Sequence, residues 1–268
     1  MKSHNSSTVC RVYDSPVLTY RDLNKKDTDP QRNMAFNIPR PGGKWDMKRN
    51  AARGSRPSFV DNKHLNNWAI LDLANTQQAA LDHFVDQLYE EGNSIGYNVE
   101  FPLEGHFRAD NRNLAHVLEE FRRLCDILLR RERDAGPPLI VVITPGKDAL
   151  LYNGLKHEGD VLQRISTQVI LRKNVINVKP ATLHNILLKI NSKLGGTNQT
   201  LDRSNSPHIL SQPVMIMGAD VTHAAADQVK PSIAAVVASM DPKASQYECE
   251  VRFQVSHLGT SLFNWRSD

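Results

Sequence analysis

PPLIVVITPGKDALLYNGLKHEGD, residues 137–160, sets a buried strand beside a helix start. Its apolar part, residues 139–144, is continuous and β-branched. Prolines bound it on one side, and Pro145 and Gly146 on the other. A short run of that kind predicts a strand buried on both faces. Asp148 stands before a short helix over about residues 149–158. A second strand, TQVIL at 167–171, follows. Pro180 then opens a helix over 181–194 that Gly195-Gly196 closes; proline at a helix start and glycine just past its end are the usual asymmetry.

The same alternation extends upstream. WAILDL at 68–73 has the length and apolarity of a strand. Residues 76–91 place Ala80, Leu81, Phe84, Val85 and Leu88 at helical spacing, with Gly92 as the stop. Residues 97–101 read as a short strand. Residues 113–131 repeat the helical spacing with Leu114, Val117, Leu118, Phe121, Leu124 and Leu128. Strands alternating with helices imply an α/β fold with a parallel sheet covered on both faces. Its ligands are expected at the carboxyl ends of the strands, near helix starts. After a polar connection at 197–212 the pattern changes. Residues 213–219, 232–240 and 247–255 read as three strands with no helix between them, an antiparallel start to a second domain. Residues 1–64 hold turn and breaker clusters (DTDP, IPRPGGKW, RGSRPS) and read as a largely irregular linker, with 15–20 its one strand-like piece.

The chain has 268 residues with a formal net charge of +4, enough length to bury a real core. Composition excludes a disordered or collagen-like chain, since 40% is apolar and 23% charged. The charge is unevenly placed: residues 1–60 carry +7, 61–150 carry −6, 151–200 carry +5 and 201–268 carry −2. A basic block between acidic ones is the usual footprint of a phosphate-bearing partner. Cys10, Cys125 and Cys249 are too few and too widely spaced for a disulfide framework or a zinc site, which fits a reducing compartment. The polar N-terminus is not a signal peptide, and no apolar run approaches the ~20 residues of a membrane span, so a cytoplasmic protein without a membrane partner is expected. Neither GxGxxG nor GxxxxGK[ST] occurs, which argues against a nucleotide-dependent enzyme.

Within the basic block, Tyr152 and Lys156 are four residues apart, and so are Lys189 and Lys193. Residues at i and i+4 share a helix face. Two ammonium groups on one face call for an anion or for solvent; a solvated stripe on an amphipathic helix is the ordinary alternative.

The blocks PGKDALLYNGLKHEGD, TQVILRKNV, TLHNILLKINSKLGG and GADVTH, in this order and spacing, resemble the MID domain and the start of the PIWI domain of eukaryotic Argonaute proteins. PGGKWDMK and NNWAILDL resemble the linker that precedes MID. The likeness runs from about residue 12 to about 255, and KASQY at 243–247 hints at the arthropod small-interfering-RNA branch. It implies a linker region over 1–64, a Rossmann-like MID domain over 65–196, and at 197–268 the first antiparallel strands of a truncated, RNase H-like PIWI domain. It implies function too: RNA binding in RNA interference and gene silencing, with the 5′-phosphate of a small guide RNA anchored in the MID pocket. The positions that match the family's pocket are Tyr152, Lys156, Gln168, Val169, Lys189 and Lys193. Tyr152 would stack on the first base, the lysines would supply point charges and Gln168 neutral donors. Val169 replaces the family's usual Cys at a contact made through the backbone. The loop at 145–151 matches the one that reads the first base and is one residue longer than the common pattern. Arg172 and Lys179 read as solvated surface.

Asp220, in GADVTH, matches the first metal-binding acid of the PIWI domain. Argonaute cleavage uses a tetrad of such groups around Mg²⁺, and the ending SHLGTSLFNWRSD offers no acid before Asp268. His223 reads as a turn residue. The expectation is therefore no cleavage by this chain alone. Mg²⁺, target RNA and silencing-complex proteins would belong to an intact protein, of which this is a fragment, isoform or truncated form. Two further readings stand beside the guide-binding one: a guide-directed endoribonuclease in the intact protein, and a truncated, non-catalytic partner-binding form.

Overall fold

The computed structural model describes residues 15–29, 32–37, 45–48, 51, 53–103, 107–131, 135–202, 207–222 and 231–254. Cys10, His223 and the ending at 256–268 lie outside them. The chain divides into two units, 1–205 and 206–268.

The first unit holds two sheets. The parallel one comprises β4 (Trp68–Asp72), β5 (Phe107–Arg108), β6 (Leu139–Thr144) and β7 (Ser166–Leu171), in the order β5-β4-β6-β7. Every residue of β4 and β6 is buried. Alternate side chains of a strand point to opposite faces, so a continuous apolar run serves two cores at once. On one face Trp68, Ile70, Val141 and Ile143 meet Leu81, Phe84 and Leu88 of α1 (Gln78–Ser94). Leu183, Leu187 and Ile190 of α5 (Pro180–Lys193) join the same cluster. On the other face Ala69, Leu71, Ile140 and Val142 meet Val117, Phe121 and Leu124 of α2 (Leu114–Leu129), and Leu151 and Leu155 of α3 (Ala149–Lys156). The parallel α/β architecture expected from the alternation is thus what the chain builds.

Several elements extend or revise these expectations. Residues 17–22 form β1 (Val17–Asp22), which pairs antiparallel with β2 (Asn33–Asn37), β3 (Pro57–Ser58) and β8 (Thr200–Leu201). Leu18, Tyr20 and Phe36 of this small sheet, and Phe59 just after β3, join the first core cluster. The N-terminal segment is therefore packed on the α/β unit, with strands beyond the single piece expected. Asn191 of α5 binds it further: the carboxamide donates to the Asp61 carbonyl (3.0 Å) and to Asn198 Oδ1 (2.9 Å), and accepts from the Lys63 amide (2.9 Å). The strand expected at 97–101 is only an isolated bridge between Leu65 and Val99. The helix expected to end at 158 instead passes after Lys156 into a π-helical turn, His157–Gln163, and a short helix α4 (Arg172–Ile176) follows β7.

The second unit contains a 3-10 turn, His208–Ser211, and an antiparallel sheet of β9 (Met217–Thr222), β10 (Ser232–Ser239) and β11 (Tyr247–Gln254), in the order β11-β10-β9. Its first strand starts at 217, later than the 213 expected. Asp220 faces Ala235 across the ladder.

Candidate functional site

The carboxyl ends of β6 and β7 and the start of α3 enclose a cavity of about 400 Å³, lined among others by Thr144, Gly146, Lys147, Tyr152, Val169 and Leu171. Asp148 caps α3 by accepting from the Leu151 amide at 3.0 Å, which fixes the helix start at the end of the exposed 145–147 loop. One turn on, Tyr152 is 47% exposed, so its ring borders the cavity instead of filling the core.

A basic cluster gathers about Thr167 of β7. Lys193, in the last turn of α5, directs its ammonium to the Thr167 carbonyl (2.5 Å) and to Gln168 Oε1 (2.8 Å). Lys156, in the last turn of α3, donates to Thr167 Oγ1 (2.9 Å) and lies 2.8 Å from Asp160 Oδ2. A lysine at a helix C-terminus is favoured by the helix dipole, which applies to Lys193 at the end of α5. The stem of Lys193 stays exposed while its ammonium turns inward. Burial pushes that ammonium's pKa down to about 8. The charges of Lys156 and Lys189 push the same way, and Asp160 opposes them. Lys189 is exposed, one helical turn before Lys193.

The structure thus brings Lys156, Lys193 and Gln168 together, keeps Lys189 within electrostatic reach, and places Tyr152 and Val169 in the adjoining cavity. Gln168 is buried, and its side-chain amide donates to the Val169 carbonyl (3.0 Å) while its oxygen accepts from the Lys193 ammonium, so it orients the lysine. Arg172 is half-buried, with its Nε lacking a hydrogen-bond partner among the described residues, and so departs from the solvated reading; Lys179 is exposed.

Two groups escaped the sequence reading. Thr167 carried no signal. Asp160, four residues after Lys156, could have been found as an i, i+4 partner. The π turn that carries Asp160 is pinned by Glu158, a buried carboxylate. It accepts two bonds from Arg122 (2.8 and 2.7 Å) and one from Gln163 (2.9 Å). The Arg122 guanidinium holds the Glu158 carboxyl below the usual carboxylate range. Gly159 is pressed so closely that a Cβ would lie 2.7 Å from Thr167 Cγ2.

Asp220 lies exposed on β9. Among the described residues no group of three or more His, Cys, Asp or Glu comes together to hold a metal ion. A lone exposed carboxylate does not fit a Mg²⁺ pair, and no catalytic step is drawn through one. No helix among the described residues is long and apolar enough to cross a membrane.

The Piwi domain family model matches residues 139–262. The fold is similar to that of Kluyveromyces polysporus Argonaute solved with a guide RNA, at 20% identity and a TM-score of 0.67, over 94% of this chain and 28% of that one. The C-terminal lobe of a budding yeast Argonaute matches at 20% identity and a TM-score of 0.66, over 91% of this chain and 49% of that one. Drosophila Piwi matches at 21% identity and a TM-score of 0.57, over 75% of this chain and 28% of that one. The Piwi match over residues 139–262 and the fold shared with these structures relate the chain to the MID–PIWI architecture of Argonaute proteins. It spans 28% of the length of the Kluyveromyces Argonaute and of Drosophila Piwi.

Proposed function

We propose that this chain binds a small guide RNA and anchors its 5′-phosphate between Lys156, Lys189 and Lys193, with the first base on Tyr152. The observation that carries this is the convergence of the Lys156 and Lys193 ammonium groups on Thr167, beside a cavity bordered by an exposed aromatic ring. A terminal phosphate brings nearly two negative charges and three acceptor oxygens, matching a cluster of point-charge donors. Stacking on Tyr152 adds roughly 1–3 kcal/mol whatever the base. The Argonaute likeness supports the same reading, since one similar structure holds a guide RNA. The domain reading goes with it: residues 65–196 act as the guide-anchoring MID domain and residues 197–268 as the start of PIWI. Free thiols at Cys125 and Cys249 favour a reducing, cytoplasmic setting. Target RNA, silencing-complex proteins and a divalent cation belong to the longer Argonaute assembly.

The test is a pair of equilibrium titrations with one RNA sequence, 5′-phosphorylated or 5′-hydroxylated. The phosphorylated RNA should bind more tightly, and Lys189→Ala with Lys193→Ala should erase the difference. Equal binding of both RNAs by the unaltered chain overturns the assignment.

A further inference from the structure

The lysine cluster carries its own carboxylate. Asp160 Oδ2 and Oδ1 lie 2.8 and 3.1 Å from Lys156 Nζ, and that same ammonium donates to Thr167 Oγ1. Lys193 reaches the Thr167 carbonyl and Gln168 from the other side. Asp160 also stands close enough to Lys193 to favour its charged form, against the repulsion of Lys156 and Lys189. An anion entering this cluster therefore meets a carboxylate already holding one of its cations.

Two features make that carboxylate displaceable. The Asp160 side chain is 48% exposed, and its ion-pair partner among the described residues is Lys156 alone. The turn beneath it does not depend on it, because Glu158 is clamped by Arg122 and Gln163 and Gly159 is wedged against Thr167 and Ile165. A carboxylate of charge −1 loses an electrostatic competition with a phosphate monoester of nearly twice that charge. The exposed pair itself is worth little, so its loss is easily offset.

We propose that Asp160 is a built-in counter-anion of the pocket: it holds Lys156 in the RNA-free chain and yields it when a terminal phosphate monoester enters. The inference rests on the guide-anchoring reading above and assigns the pocket a residue that weakens binding. Asp160 competes for Lys156 and adds a like charge beside the bound phosphate.

The experiment measures dissociation constants of the full chain and of D160N and D160E, for 5′-phosphorylated and 5′-hydroxylated RNA, by fluorescence anisotropy at pH 7 and fixed salt. D160N should bind the phosphorylated RNA about two- to five-fold more tightly, the range an exposed ion pair commands. Its affinity for the hydroxylated RNA should change by less, and D160E should stay near the unaltered chain. Unchanged or weaker binding of phosphorylated RNA by D160N overturns the proposal, as does a D160E variant that gains as much as D160N. Circular dichroism checks folding, and D160S replaces D160N if the latter is misfolded. If the unaltered chain does not distinguish the two RNAs, the guide-anchoring reading falls and this proposal with it. If it does distinguish them and D160N gains nothing, the counter-anion role alone is lost.

Discussion

Lys193 shows how one side chain can carry opposite pH signs for binding and folding. Its amine ordinarily titrates at 10.5 and here at about 8, because burial penalises the charged form. Below about pH 8 it is cationic and can meet a phosphate; above, it is neutral. The preference for 5′-phosphorylated RNA should therefore shrink as pH rises from 7 to 9, read as the ratio of the two dissociation constants. Folding runs the other way for this group. Between about 8 and 10.5 the folded chain binds fewer protons than the unfolded chain, so its contribution to stability rises with pH. Glu158 has the reverse sign. Its carboxyl is held low by Arg122, so its contribution is present above the ordinary carboxylate pKa and fades as pH falls through the lowered value. Glu158→Gln should lower the thermal midpoint by several degrees, since each kcal/mol lost costs about 2–4 °C at this size. An unmoved midpoint in a calorimetric scan would deny that the pair pins the π turn. The i, i+4 spacing of Tyr152 with Lys156 and of Lys189 with Lys193 implies shared helix faces, while their assignment to one pocket with Gln168 and Val169 comes from the Argonaute resemblance. Thr167 carries no such signal, because its role comes from contacts between β7 and the ends of α3 and α5, whereas Asp160 is readable as the i, i+4 partner of Lys156.

At the scale of elements, β4 and β6 could be read directly. Uninterrupted β-branched runs have few homes other than a sheet buried on both faces. The amphipathic helices that cover it followed from their period. Of the N-terminal strands only β1 overlaps a piece read as strand-like, residues 15–20. β3 and β8 are two residues each, too short to carry a pattern. They are strands because β1 offers them a ladder. The packing of this segment on α5 predicts a distant effect. A Cβ at Gly196 would clash with the Asn191 carboxamide, which holds Asp61, Lys63 and Asn198. Gly196→Ala should destabilise the fold by about 1–3 kcal/mol, the usual cost of overpacking. Urea unfolding checks this, and a midpoint equal to that of the unaltered chain would contradict it.

For the molecule as a whole, the division at residue 205 makes the first unit a candidate for independent folding. It contains both large hydrophobic clusters and every pocket residue named above. Residues 1–205 expressed alone should unfold cooperatively in a circular-dichroism melt and keep the preference for 5′-phosphorylated RNA. Loss of that preference in a folded 1–205 chain would show that the second unit contributes to the site. The second unit differs in kind. β9 is exposed along its length, and Ile233, Val237, Val251 and Phe253 of its sheet are exposed apolar residues. Sheets with such faces and open edges tend to associate. Residues 207–268 on their own should therefore form larger species in size-exclusion chromatography, and a clean monomer would refute this.

The parallel α/β unit, the antiparallel strands after it and the shared helix faces of Tyr152 with Lys156 and of Lys189 with Lys193 can be read from the chain alone. Each of these depends on local period, on breakers, or on residue types at fixed spacing. What those side chains do with one another follows from the folded arrangement. That arrangement turns the Lys193 ammonium onto Thr167 and Gln168 and draws the N-terminal strands onto the core. The physical reason is that charge pairing and desolvation depend on distances of a few ångströms between segments far apart in the chain, and no local pattern records those distances.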